Sequence, residues 1–154
     1  MRSVFLIATI LVGCSLASGA QADPPKVDLP GGAGAWVLQI TTHGGFEGRG
    51  GGDLLMSSTG RLRCSRKEMS CPEKLTSKTV VALSRIIATI KQPYWINPVP
   101  DNFCQDCLEN TMTLTVRDHK GSIETSTVHW NITSQKRLPP QLLRLYSAAT
   151  GAVH

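Results

Sequence analysis

Cysteine is the residue type in this chain whose number and spacing point most directly to chemistry. Beyond the N-terminal segment, two close pairs occur, Cys64 with Cys71 and Cys104 with Cys107. In an oxidising compartment such an even set is typical of disulfides, and the short spacings favour these two bonds. Cys104 and Cys107 also have the spacing of half a zinc site or of a redox motif. The spacing of the other pair is too wide for a zinc knuckle, and no thioredoxin-like βαβ pattern surrounds Cys104 and Cys107, so we expect two disulfides.

Motifs of catalysis are missing from the sequence. It contains no H-E-x-x-H, no G-x-S-x-G and no phosphate-binding P-loop. No spacing brings two carboxylates together, and isolated histidines more often pack or face solvent than bind metal. The four histidines lie apart from one another along the chain, at His43, His119, His129 and His154. We therefore expect a protein that is not an enzyme and that uses no cofactor and no metal.

The segment between His43 and Asp53 has the most unusual composition, with six glycines. One interpretation is a long hairpin connection that needs positive φ angles. The other is an exposed binding loop, because recognition residues often lie on loops held by a rigid scaffold. In that interpretation Phe46 is an apolar anchor and Arg49 a charged one. The candidate partner-binding residues are Gly44, Gly45, Phe46, Glu47 and Arg49.

The N-terminus has the features of an export signal. Residues 1–22 combine a basic start at Arg2, a short apolar run and a cleavage site at Ala20–Ala22. A bacterial lipobox ending at Cys14 offers a second processing route, in which residues 1–13 are removed and Cys14 is lipidated. Both routes predict an exported protein that is periplasmic, secreted or lipid-anchored to the cell envelope.

Composition places the remainder of the chain among small globular domains. The 154 residues are 41% hydrophobic and 18% charged, with a net charge of +5. This excludes a disordered chain, and no apolar run beyond the signal is long enough for a membrane span. Basic residues are scattered, which indicates solubility rather than nucleic-acid binding. We expect a flexible tether at 23–34 and a single domain at 35–154.

Hydrophobic periodicity gives the order of the elements. Alternating apolar residues predict five strands, and two helical patterns follow the third and fifth of them. Turn signals separate the strands, and Pro139–Pro140 opens the second helix, with Gly151 as its C-cap. The predicted strands are 36–41, 54–57, 61–66, 111–118 and 122–130; the first helix is 78–92, capped by Thr76 or Ser77 and ended by Pro93. This βββ-α-ββ-α order predicts the α+β class, an antiparallel sheet with two helices on one face.

Several short stretches of the chain resemble the emfourin family, small protein inhibitors of thermolysin-like metallopeptidases such as protealysin. The most specific is the turn at 44–48, GGFEG, at the end of the strand that begins in LQITTHG. A leucine-containing helix like 75–90, a strand like 111–116 and a Leu-Pro segment like 138–143 follow in the family's order. The resemblance covers roughly 36–150, mostly by order of elements.

The resemblance implies a protein that binds and inhibits a thermolysin-like metallopeptidase, and we expect the loop from His43 to Asp53 to make the contact. We expect this exported protein to be a monomer. The alternative is a cell-envelope lipoprotein, or a secreted partner-binding domain, with no peptidase target. Under both hypotheses the partner is a protein, nucleic acid is not bound, and the membrane is met only through a lipid on Cys14.

Overall fold

The computed structural model describes residues 29–45, 51–65, 71–90 and 107–153. The described part contains one five-stranded antiparallel sheet in the order β3-β2-β1-β4-β5. The strands are β1 Trp36–Gly44, β2 Gly52–Ser57, β3 Leu62–Cys64, β4 Leu108–Arg117 and β5 Ile123–Asn131. The helices are α1 Ser77–Thr89 and α2 Pro140–Gly151, with a 3-10 helix at Ile132–Arg137. The α+β class is therefore confirmed.

One face of the sheet packs against both helices. Side chains alternate along a strand, so the apolar residues at every second position of β1 point to the same side. They meet the apolar stripe of each helix in a single buried cluster. Its largest fully buried members are Trp36, Trp130, Leu38, Met56, Leu83, Met112, Leu142 and Leu145. Burial of these side chains supplies most of the stability of such a domain.

Helix α1 begins as the sequence predicts and ends earlier. The hydroxyl of Thr76 accepts a hydrogen bond from the Thr79 N–H at 3.2 Å, so Thr76 is the N-cap. The helix ends at Thr89, whose hydroxyl donates to the Ile86 carbonyl oxygen at 2.6 Å, and Ile90 is extended. The expected end at residue 92 is therefore wrong, because the chain leaves the helical conformation before Pro93 can interrupt it.

Helix α2 has proline in its first turn, as predicted, but a different C-cap. Gly151 is its last helical residue, and Ala152 follows in the right-handed α conformation with its N–H bonded to Ala149 O. Val153 is 7% exposed and belongs to the core cluster. Its burial holds the chain end close to the helical path, so no residue with positive φ is needed.

The described chain begins ahead of the expected domain boundary at residue 35. The N–H of Gly34 donates to the Arg117 carbonyl oxygen at 3.0 Å, and the N–H of Arg117 donates to Ala35 at 2.8 Å. The final residues of the expected tether are thus attached to the end of β4. The expected signal at 1–22 and Cys14 lie outside the described residues. No helix in the described part is long and apolar enough to cross a membrane.

Candidate functional site at the base of the β1–β2 connection

The structure describes the two ends of the glycine-rich connection between β1 and β2. The last cross-strand pair of these strands joins Thr42 to Gly52. Strand β1 continues for two more residues along β4, where Gly44 pairs with Leu108. The candidate residues Phe46, Glu47 and Arg49 lie outside the described residues. The base of the connection is therefore held by β1, β2 and β4 together.

Gly44 occupies a position that only glycine fits. Its φ is +86°, and a Cβ built there would lie 2.7 Å from the carbonyl oxygen of Cys107. Gly45 follows with a φ of +84°. Positive φ strains residues with a side chain, and the close approach adds a steric clash at Gly44. The expectation that this connection needs positive φ is thus confirmed at its first two glycines.

The opposite end of the connection also approaches backbone closely. A Cβ at Gly51 would lie 3.1 Å from the Thr42 carbonyl oxygen. Both ends therefore use the small size of glycine to pass close to a neighbouring strand. This packing fixes where the chain leaves and re-enters the sheet.

Disulfides lie beside this region. Cys64 and Cys71 are bonded, with their Cα atoms 6.3 Å apart, which confirms the first predicted pair. Cys107, against which Gly44 packs, is also disulfide-bonded. Cys104 lies outside the described residues, so its bond to Cys107 stays a prediction.

Buried polar side chains support the same end of the sheet, and sequence analysis did not identify them. The Thr42 hydroxyl donates to Asn110 Oδ1 at 2.9 Å, and the two residues are 2% and 3% exposed. A buried hydroxyl and amide are stable only when they are hydrogen-bonded, so this pair specifies how β1 and β4 align beneath the connection. The sequence indicates this pair only in one way: the alternation of side chains along β1 and β4 places two polar residues, Thr42 and Asn110, on the core face.

Asn131 ends the neighbouring strand β5 and has a structural role. Its Oδ1 accepts hydrogen bonds from the Ser134 N–H at 2.9 Å and from the Thr133 hydroxyl at 2.7 Å. It therefore caps the 3-10 helix that follows. Asn131 begins a glycosylation-type sequence, Asn-Ile-Thr, but it is only 6% exposed. Its burial leaves no room for a glycan in the folded protein.

The histidines in the described part do not form a cluster. His43 is exposed near the base of the connection, and His119 is exposed in the turn between β4 and β5. His129 Nδ1 lies 2.9 Å from the Thr111 hydroxyl on the face of the sheet away from the helices. Among the described residues, no group of three or more His, Cys, Asp or Glu side chains is arranged to hold a metal ion.

A cleft of about 940 Å³ lies on the face of the sheet away from the helices. Leu29 and Pro30 form one wall beside Val37, which is 4% exposed. Arg61 and Arg63 lie on the β3 side. The cleft depends on how the segment before β1 folds back, which no local sequence pattern indicates.

Comparison with known proteins found no matching family model, no matching curated protein and no matching solved structure. The resemblance to the emfourin family therefore stays a prediction from the sequence.

Proposed function

We propose that this protein is an exported inhibitor that presents the β1–β2 connection to a thermolysin-like metallopeptidase. The observation that carries the proposal is the packing of Gly44, at positive φ, against the Cys107 carbonyl. It attaches the start of the connection to a disulfide-bonded residue next to β4. A binding loop gains affinity when its ends are fixed before the partner arrives, because less entropy is lost on association.

The base of the connection is rigid for three independent reasons. It continues from the central strand of the sheet, it contacts backbone at both Gly44 and Gly51, and the Thr42–Asn110 pair lies beneath it. Inhibitors of proteases are typically pre-organised and change little on binding. The GGFEG motif, which resembles the inhibitor family, occupies this connection.

Phe46 is the residue in the connection with the largest apolar area, and we propose it as the anchor. Buried aromatic anchors dominate the binding energy of many interfaces. Arg49, Glu47 and the two glycines complete the proposed contact set. A secreted or lipid-anchored domain that binds another protein remains the second hypothesis.

The direct test is titration of a thermolysin-like peptidase with the purified protein at fixed substrate concentration. We expect loss of peptidase activity that saturates near one inhibitor per enzyme. Phe46→Ala should weaken inhibition about thirtyfold, equivalent to about 2 kcal/mol, with little change in melting temperature. Val81→Ala, at a side chain 48% exposed on α1, serves as the matched control and should inhibit normally.

Two outcomes would contradict the proposal. If several such peptidases keep full activity at micromolar protein, the inhibitor function is wrong and the partner-binding hypothesis replaces it. If Phe46→Ala lowers the melting temperature and leaves inhibition unchanged, Phe46 is a packing residue and not the anchor.

A further inference from the structure

The two edges of the sheet differ in how they are protected against pairing with another strand. Strand β3 is three residues long and contains Arg63, and Arg61, directly before it, forms an isolated β-bridge with Lys74. Short, charged edges of this kind resist strand addition. Strand β5 is nine residues long, contains no proline or lysine, and pairs within the described part only with β4. Among the described residues, one edge of the sheet is therefore protected and the other is open.

Exposed apolar side chains lie at both ends of the open edge. Ile123 is 54% exposed at the start of β5, and Ile132 is 50% exposed directly after its end. They are two of the three large exposed hydrophobic side chains among the described residues. Glu124 is the only Asp, Glu, Lys or Arg residue of the strand. An exposed, long and weakly charged edge is a template for another strand.

We propose that β5 pairs with β5 of a second copy of the chain, antiparallel and centred on Thr127. The two-fold axis is then perpendicular to the sheet, and two five-stranded sheets become one of ten strands. Centring on Thr127, the middle residue of Ile123–Asn131, lets all nine residues of each strand find a partner.

The side chains of β5 are self-complementary in this register. Glu124 lies opposite Trp130, so no like charges meet across the axis. Thr125 lies opposite His129, and Thr127 lies opposite its own copy. Both combinations already occur between β4 and β5, where Thr111 contacts His129 at 2.9 Å and Thr113 contacts Thr127 at 3.1 Å.

Both exposed isoleucines adjoin the proposed interface along the chain. Ile123 of one copy lies opposite Asn131 of the other, beside the point where Ile132 follows. Pairing therefore covers apolar surface at both ends of the new interface in addition to satisfying the backbone groups along β5. This inference differs from the monomer expected from the sequence, because the open edge becomes evident only once the strand order is known.

Cross-linking tests the register directly. Opposed residues in antiparallel strands have Cα atoms about 4.5–5.5 Å apart, within reach of a disulfide. Thr127→Cys should form a dimer on mild oxidation that reducing agent removes on a denaturing gel. Thr125→Cys is the matched control, on the same strand and face. Its two copies would be four residues out of register, about 14 Å apart, and should not link.

Sedimentation of the purified protein provides the second measurement. The unmodified protein should form a dimer over a concentration range up to about 100 μM, which covers weak to tight association. Ile123→Lys and Thr125→Lys should weaken dimerisation at least tenfold without lowering the melting temperature. Val81→Lys, at an equally exposed position on α1, should leave the dimer intact.

The proposal is overturned by a protein that sediments as a monomer throughout, by equal cross-linking of the two cysteine variants, or by lysine variants that dimerise normally. None of these measurements uses a peptidase. Their failure and the failure of the proposed inhibitor function are therefore distinguishable.

Discussion

The indole N–H of Trp36 donates a hydrogen bond to the hydroxyl of Ser84 at 2.8 Å. Trp36 is 1% exposed on the central strand β1, and Ser84 is half-buried on α1. The bond therefore fixes the rotation of the helix over the sheet. In contrast, the buried indole N–H of Trp130 has no hydrogen-bond partner in the described part of the chain. Its ring packs edge-on against Tyr146, with the ring centroids 5.1 Å apart.

Removing the Ser84 hydroxyl should leave the Trp36 N–H buried and unpaired. We expect Ser84→Ala to lower the free energy of unfolding by about 1–3 kcal/mol, the cost of an unsatisfied buried donor. Urea denaturation followed by tryptophan fluorescence measures this. Ser147→Ala, at an exposed position of α2, is the control and should change stability by less than about 0.5 kcal/mol. Equal effects of the two variants would contradict the role of the bond.

Substitution of Leu83 tests which face of α1 packs against the core. Its side chain is fully buried in the core cluster, whereas Val81 on the same helix is 48% exposed. Leu83→Ala should cost about 2–4 kcal/mol because a cavity remains. Val81→Ala should shift the denaturation midpoint only slightly. If Leu83→Ala leaves the midpoint unchanged, the packing of α1 is assigned wrongly.

The Cys64–Cys71 bond closes a short loop at the end of β3. Replacing both cysteines by serine frees this loop in the unfolded chain, and the expected loss of stability is about 2–3 kcal/mol. Thermal or urea unfolding of the double variant measures the loss. Reducing agent should lower the stability of the unmodified protein further than the double substitution does, because it also breaks the disulfide of Cys107. A double variant as stable as the parent would show that the bond contributes nothing.

Alanine substitutions at Gly44 and Gly121 distinguish the cost of a positive φ from the cost of a steric clash. Both have positive φ, +86° and +87°, but a Cβ at Gly121 meets nothing within 4 Å. Gly121→Ala should therefore cost only the strain of the left-handed conformation, about 1–2 kcal/mol. Gly44→Ala should cost clearly more, since the Cys107 carbonyl must also move. Equal melting temperatures for the two variants would contradict a tight contact between Gly44 and Cys107.

Local features of the fold could be predicted from the sequence. The hairpin turn at Ser58–Gly60 forms as expected, with Gly60 at a φ of +82°. In the β4–β5 turn, Asp118 Oδ1 accepts from the N–H groups of Lys120 and Ser122 at 2.8 and 2.7 Å. Such turns are determined by a few adjacent residues, and the alternation of apolar and polar residues in a strand is also a local pattern. Both can therefore be recognised in the sequence.

Long-range features could not be predicted in the same way. Strand β1 lies between β2 and β4, and its pairing with β4 brings together residues that are far apart in the chain. No local sequence pattern indicates which strands are neighbours. The Thr42–Asn110 pair is recognised as a buried bond only when these strands are aligned. The same holds for the packing of Gly44 on Cys107, although the need for glycine at this turn was expected.

The central position of β1 has a consequence for the time course of folding. Its second neighbour is β4, and Trp36 pairs with Val116 while Gly44 pairs with Leu108. One side of β1 therefore stays unpaired until most of the chain has been synthesised, and closing so long a loop slows folding. For the exported protein that we propose, this delay keeps the polypeptide unfolded, and able to pass through an export channel, at least until β4 has been synthesised.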